Sequence, residues 1–340
     1  MKIALVTTTI YVPRVLELYR AIGPDVRIIV AGDRKTPHAE ARVFVSALGN
    51  AIYYSDADQE KLGYRCSAII GWNKIMRRNI ALLEAIKEGA DIIVSIDDDN
   101  IPVDGNYFSD IARILSAPYS GIVAKADASW FNVGAFFDPP FYHRGFPYDR
   151  RHVDLGLHLE TRIGASIGLA AGLWMGDPDV DAMERITNRP TALHPSEMLR
   201  SGIALAPGCW SPFNTQNTAF IRALAPLMMV HVGVGRYDDI WASYMFQRIA
   251  METGQLVHFG RPFVWQERNA QNLWANLKDE IFGMEHTPRF CRDLLAAPLG
   301  SGTALEKLAR LYEHLAKLAY LPPVMLEAGR AWCEDVEKLL

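Results

Sequence analysis

The sequence predicts an α/β fold, a Rossmann-like parallel sheet with helices on both faces, followed by a helical C-terminal extension. Two observations carry this. In the first third, short apolar runs alternate with amphipathic stretches, the pattern of βαβ units. Beyond Thr303, Leu and Ala recur at helical spacing up to the end.

The elements follow in order. Ile3–Thr8 reads as a buried first strand, although Met1-Lys-Ile-Ala-Leu-Val6 looks at first like a leader. Three threonines, Pro13 and Arg14 follow instead of a small-residue cleavage site. Pro13–Ile22 reads as a helix, and Val26–Ala31 as a second strand ending in Gly32-Asp33-Arg34. Ile69–Lys87 reads as one long helix with Ile75, Ile80, Leu82, Leu83 and Ile86 roughly on one face. Ile92–Ile96 is a strand that delivers Asp97-Asp98-Asp99. About Lys125–Pro212 the chain is irregular and rich in aromatics, Gly and Pro, as binding loops often are. Asp238–Thr253 returns to helix, and the tail breaks at Pro322-Pro323. The expected organisation is residues 1–290 as the catalytic domain, with a nucleotide-binding part (about 1–124) and an acceptor or sugar part (about 125–290). Residues 291–340 form the extension.

Bulk properties narrow the function. Half of the 340 residues are apolar and 22% are charged, as in an ordinary soluble globular protein. A net charge of −4 gives no support for nucleic acid or an anionic membrane as the main partner. No apolar run reaches the roughly 18 residues of a membrane span. The four cysteines are widely spaced without a C-x-x-C pair, so reduced thiols and a cytoplasmic location are expected.

The Asp97–Asp99 run reads in two ways. It can be an acidic turn, since turns favour Asp and Asn. It can be a cation site, because crowded carboxylates repel each other and lose hydration, and a hard divalent ion relieves both costs. Alternation along a strand would set Asp97 and Asp99 on one side as Mn²⁺ or Mg²⁺ ligands and Asp98 on the other. Ligands of parallel sheets bind beyond the C-terminal strand ends. Thr7–Thr9, Asp33 and the aspartates all lie at such ends, which favours the cation site. A second cluster, His143-Arg144-Gly-Phe-Pro-Tyr-Asp-Arg150-Arg151-His152, is dense in cations. It is either a phosphate-binding loop or a solvated one paired with Asp149, Asp154 or Glu160. A third, Gly235-Arg-Tyr-Asp-Asp-Ile-Trp241, offers carboxylates at a helix start, as base, sugar ligand or N-cap.

In order along the chain, these motifs resemble the reversibly glycosylated polypeptides, or UDP-arabinopyranose mutases, of glycosyltransferase family 75. The matching pieces include Thr8-Thr-Ile10, Ser95-Ile-Asp-Asp-Asp99, Phe131-Asn132, Phe137-Asp-Pro139, Arg144-Gly-Phe-Pro-Tyr148 and Gly172-Leu-Trp174. They continue through Asp177-Pro-Asp-Val-Asp-Ala182, Asn217-Thr-Ala-Phe220, Leu224-Ala-Pro226, Gly235–Ala242, Pro262-Phe-Val-Trp265 and Asn276-Leu-Lys278. The set spans roughly residues 5 to 285. The segment Asp239–Arg248 is also similar to STELLO-type glycosyltransferase-like proteins.

The resemblance implies a GT-A fold, a UDP-sugar, and Mn²⁺ or Mg²⁺ held by Asp97 and Asp99. It implies interconversion of the pyranose and furanose forms of the UDP-sugar, with reversible self-glycosylation at Arg144. Arg151 and Asp239 would act beside Arg144. Thr8, Asp33, Arg78, Asp98, Trp174, Asp238 and Lys278 would contact the nucleotide sugar. Two alternatives stand beside this reading: transfer of the sugar to a separate glycan or small-molecule acceptor, and a non-catalytic, self-glycosylated scaffold subunit. Association into homo-oligomers fits the family. Three departures are visible, the first being that the family's Ser-Leu-Arg-Glu-Gly stretch is here Asp149-Arg-Arg-His-Val153. The family's Trp-His-Ser is here Trp265-Gln-Glu267, and an insertion lies between Arg151 and Gly172.

Overall fold

The computed structural model describes residues 1–268 and 271–340. Its N-terminal half holds β1 (Ile3–Thr9), β2 (Arg27–Gly32), β3 (Ala51–Tyr54) and β4 (Ile92–Ile96), all parallel, in the spatial order β3-β2-β1-β4. Crossovers are made by α1 (Leu16–Ile22), α2 (His38–Ala47), α3 (Asp56–Leu62), α4 (Arg65–Ile70) and α5 (Arg78–Lys87). Every residue of β4 is buried, as a central parallel strand requires. The α3 helix starts on a capping box, with Ser55 and Asp58 satisfying each other's backbone N–H.

The single helix expected over 69–87 is two helices. Gly71, at φ +71°, ends α4, and the chain re-enters through a short 3₁₀ turn (Ile75–Arg77) before α5. The break places Asn73 and Lys74 beside the ends of β1 and β4.

The second half adds antiparallel pairings to the parallel sheet expected from the first third. It contains β5 (Ile101–Pro102), α6 (Tyr107–Ser116), β6 (Tyr119–Ala126), β7 (Phe137–Asp138) and β8 (Leu157–Gly176). Then come α7 (Ala182–Thr187), β9 (His194–Pro195), α8 (Glu197–Ser201), β10 (Ile203–Leu205) and β11 (Asn217–Ile221). Helix α9 (Asp238–Thr253) and β12 (Gln255–Gln266) complete it. Strand β11 runs antiparallel to β4 and to β8. Together the halves make a ten-stranded mixed sheet, while β7 and β9 pair apart from it. The long β8 lies inside the stretch that reads as irregular. It pairs with β6 over its first half and with β12 over its second.

The C-terminal helices α10 (Leu273–Ala296), α11 (Ala304–Leu315) and α12 (Pro323–Glu337) dock on this body. Trp241 of α9 stacks on Phe290 of α10 with ring centres 4.1 Å apart. Trp332 of α12 donates to the Pro226 carbonyl at 2.7 Å. The Asp335 carboxylate accepts the backbone N–H groups of Arg65 and Cys66 at 3.0 and 2.9 Å, capping the start of α4. The divisions expected near residues 124 and 290 therefore cut through elements, β6 and α10. One apolar core runs from the sheet into the C-terminal helices. Among the described residues no helix is long and apolar enough to cross a membrane.

Candidate active site

Beyond β4 the backbone turns at once: the Asn100 N–H donates to the Asp97 carbonyl at 3.3 Å. The aspartates are thus turn residues, and strand alternation does not separate them. All three line one open cleft of about 400 Å³ with Thr8, Thr9 and Arg78.

Each aspartate is satisfied differently. Asp97 pairs with Arg78, whose buried guanidinium also donates to the Thr215 carbonyl and hydroxyl at 2.8 and 2.7 Å. Asp98 accepts a hydrogen bond from the Thr9 hydroxyl. Burial pushes its carboxyl above the usual carboxylate range, against the Thr9 hydrogen bond. Asp99 has a buried Oδ1 with no hydrogen-bond partner among the described residues. Burial, then the charges of Asp97 and Asp98, push its carboxyl up to about 6, and Gln266 and Arg268 work the other way.

A buried carboxylate oxygen with no donor, next to two further carboxylates, fits a hard divalent cation. Among the described residues no cluster of three or more His, Cys, Asp or Glu side chains forms a ready cation cage. The protein would supply two carboxylates, Asp97 and Asp99, and leave the remaining positions to phosphate and water, as Mg²⁺ sites commonly do. Gln266 is buried and accepts from Gln216 Nε2 at 2.6 Å, so its amide oxygen is already engaged.

Asp33 and Thr8 lie at this end of the sheet. Thr8 lines the cleft and donates its hydroxyl to the Ala31 carbonyl at 2.8 Å. Asp33 is buried and accepts the backbone N–H groups of Arg34, Asn73 and Lys74 at 2.6, 2.7 and 2.9 Å. Its visible work is to hold the 73–74 loop on the cleft rim.

Arg144 forms the second centre. Its Nε and Nη2 donate to Asp179 at 3.0 and 2.9 Å, Nη2 also donates to Asp239 at 3.1 Å, and Nη1 donates to the Arg236 carbonyl. Burial alone lowers the guanidinium pKa, but Asp179 and Asp239 outweigh it and hold the group well above its ordinary value. Burial likewise opposes charge on Asp179, yet Arg144 and Arg268 hold its carboxyl far below the usual range. Asp238 is buried beside Asp239, and burial together with that neighbour's charge pushes the Asp238 carboxyl up to about 8.

The two centres are joined through Asn214-Thr215-Gln216. The Thr215 N–H donates to Asp239 Oδ2 at 3.1 Å while its carbonyl and hydroxyl hold Arg78. Asn214 Nδ2 donates to Asp179 at 2.7 Å and to Gln216 Oε1 at 3.0 Å. Gln216 then reaches Gln266, next to Asp99. A continuous polar network therefore links the aspartate cleft to Arg144.

Other expected site residues stand apart. Arg151 is buried against Asp181 at 2.5 Å and Glu184 at 3.3 Å, with its guanidinium 3.7 Å from the Tyr148 ring centre. It makes no hydrogen bond to Arg144 or Asp239 and instead ties the loop to α7, whose N-cap is Asp181. Trp174 is fully buried beside His143 and Phe141 and does not line the cleft. Lys278 is exposed on α10. Sequence reasoning missed the parts played by Asp179, Asn214–Gln216 and Arg268. Only Asp179 carried a signal, inside the Asp177-Pro-Asp-Val-Asp181 motif.

Comparisons with known proteins show the family. A family model described as reversibly glycosylated polypeptide matches residues 2–296. A probable UDP-arabinopyranose mutase 2 of Solanum tuberosum is 28% identical over 198 residues, 56% of this chain and 50% of that protein. UDP-arabinopyranose mutase 1 of Oryza sativa subsp. japonica is 27% identical over 255 residues, 69% of this chain and 66% of that one. The matched stretch thus spans about half to two thirds of these curated relatives. Among solved structures, glucosyl-3-phosphoglycerate synthase from Mycobacterium tuberculosis with Mn²⁺ and UDP-glucose aligns at a TM-score of 0.43 and 13% identity, over 86% of this chain and 79% of that one. The mannosyltransferase PcManGT from Pyrobaculum calidifontis with GDP-mannose and Mn²⁺ aligns at 0.43 and 12%, over 99% and 86%.

Proposed function

Because the chain belongs to the reversibly glycosylated polypeptide family, we propose that it is a UDP-sugar mutase that reversibly breaks the anomeric C–O bond in the Asp97–Asp99 cleft. The observation that carries this is the unpartnered, buried Asp99 Oδ1 among three aspartates at the ligand edge of a parallel sheet. Asp97 and Asp99 would hold Mn²⁺ or Mg²⁺. The ion would offset negative charge on the leaving diphosphate. Thr8, Asp98 and the loop that Asp33 fixes line the nucleotide side, within a GT-A arrangement. Arg78 holds Asp97 in place through the ion pair its buried guanidinium makes with that carboxylate.

Self-glycosylation of Arg144 belongs to this reading and has a balanced form. The anomeric C–O bond to the diphosphate breaks, a C–N bond forms to a guanidinium nitrogen, and that nitrogen's proton passes to Asp239. Four of the five hydrogen bonds that hold the Arg144 guanidinium go to carboxylates, so the step requires the clasp to loosen. That same clasp favours a second reading, transfer to a glycan or small-molecule acceptor, in which Arg144 stays a buried cation.

The test is incubation of the full chain with UDP-sugars and Mn²⁺, followed by NMR and intact mass. Ring-contracted UDP-sugar without an acceptor supports the mutase, and an adduct lost in Arg144→Lys supports the covalent role. Sugar appearing only on an added acceptor favours transfer. UDP binding without bond cleavage, or a single-turnover adduct with no free product, leaves the scaffold reading and overturns the enzyme.

A further inference from the structure

The charged side chains that line the aspartate cleft are Asp97, Asp98, Asp99, Arg78 and Lys74. Arg78 is committed to Asp97 and to Thr215. With the three carboxylates ionised, a divalent ion and Arg78 together offset them and leave nothing for a diphosphate. Yet the diphosphate of a nucleotide sugar carries about two negative charges. Breaking its bond to the sugar adds about one more, because a terminal phosphate has its second pKa near 6. Lys74 is the other cation on this lining. It is exposed, and among the described residues its ammonium has neither a carboxylate nor a hydrogen-bond partner. Its backbone, by contrast, is fixed. Asp33 accepts the N–H groups of Asn73 and Lys74 at 2.7 and 2.9 Å, and the Lys74 carbonyl accepts the Arg77 N–H at 3.1 Å. Asn73 stands in the left-handed region at φ +59°, which Asn adopts more readily than most residues. A buried carboxylate thus anchors the root of a lysine whose tip is free.

We propose that Lys74 is the diphosphate-binding cation of the cleft, and that it takes up the negative charge that grows on the diphosphate as the bond to the sugar breaks. This rests on the nucleotide-sugar reading of the cleft and deepens it by naming the group that meets the leaving phosphate. Lysine suits the task, since its ammonium is a compact point charge on a flexible stem and needs no planar fit to its ligand. Because the backbone at its root is already held, binding has only the side chain to order. The contact strengthens with ligand charge. One further unit of charge about 4 Å from an ammonium is worth roughly fivefold in binding even at the screening of bulk water. Lys74 therefore favours the cleaved diphosphate over the intact nucleotide sugar, which is the sense that accelerates bond breaking.

The test is calorimetric titration of the full chain with UDP and with UMP, each with Mn²⁺ at low ionic strength, using variants of unchanged circular dichroism. Lys74→Met is expected to weaken UDP binding about tenfold and UMP binding threefold or less, because UMP lacks the second phosphate. Lys74→Arg, which keeps the charge, should stay within about threefold of wild type for UDP. Lys317→Met removes the same charge from an exposed site beyond α11 and should change neither affinity. A loss of UDP affinity below threefold in Lys74→Met overturns the assignment, and so do equal losses for UDP and UMP or an equal loss in Lys317→Met. In each of these cases wild type still binds UDP, and the nucleotide-sugar reading of the cleft stands. Wild type that does not bind UDP with Mn²⁺ overturns that reading, and the assignment falls with it.

Discussion

The Asp97–Asp99 cleft and the Arg144 clasp share one polar network, yet their charges are satisfied to opposite degrees. In the cleft, Arg78 pairs with Asp97 and the Thr9 hydroxyl bonds Asp98, but among the described residues Asp99 Oδ1 has no hydrogen-bond partner. Burial, then the neighbouring Asp97 and Asp98 charges, push its carboxyl up. In the clasp, Arg144 meets two carboxylates and a carbonyl, and the acid beside it is driven down. A centre short of positive charge is built to receive a cation. A centre already neutralised is built to hold its shape. The Arg151 cluster makes the same point within one loop: it has the same composition as the Arg144 cluster but no link to the cleft.

Experiments can break this contrast, beginning with the largest effect. Asp179→Asn leaves Arg144 and Arg268 short of a buried counter-charge. It is expected to destabilise the fold by roughly 3–5 kcal/mol, the cost of unpairing a buried ion pair, read by urea unfolding. A loss below about 1 kcal/mol would mean that the clasp is not structural. Arg151→Gln strands Asp181 and Glu184 and should also lower stability by a few kcal/mol. In this variant the affinity for UDP with Mn²⁺, measured by calorimetry on folded protein, should stay within about twofold; a tenfold loss would place Arg151 at the cleft after all.

Asp99→Asn is the reverse case. It should weaken Mn²⁺ binding at least tenfold while leaving stability without metal unchanged or higher at neutral pH, since the lost charge was unsatisfied. The smallest effect is its pH signature. Asp99 has a folded pKa of about 6 against 3.8 for the free group. The folded state thus binds this proton more tightly than the unfolded chain. Its contribution to stability is full below about 4 and is lost as pH rises to about 6. In the metal-free protein, wild type should therefore lose stability relative to Asp99→Asn across that window. Parallel curves would show that Asp99 is not strained.

Legibility followed locality. Strand β4 and helix α9 match the sequence expectation residue for residue, because an uninterrupted buried run and a capped apolar helix are local signals. The aspartate cleft was legible for the same reason. The break at Gly71 was not, because Asp33, nearly forty residues earlier, holds the loop that follows it. Strand β8 was hidden by its exposure, since its first half lacks a buried face. Asp179, which pairs with Arg144, and Asn214, which donates to Asp179, come from separate segments, and only the fold brings them together. Trp174 read as a ligand contact, but large aromatics are more often core, and this one is.

The Asp335 cap on α4 carries a consequence for biogenesis. Two amide groups near the start of α4 gain this partner only when a residue 270 positions later arrives. On a ribosome that delivers residues in order, the nucleotide half can collapse early, but α4 waits for α12 to emerge. Helix α4 leads directly into the 73–74 loop on the cleft rim. The pocket made from the first hundred residues is therefore among the last parts of the molecule to be finished, and a stalled or clipped chain would carry its aspartates on an unfinished rim.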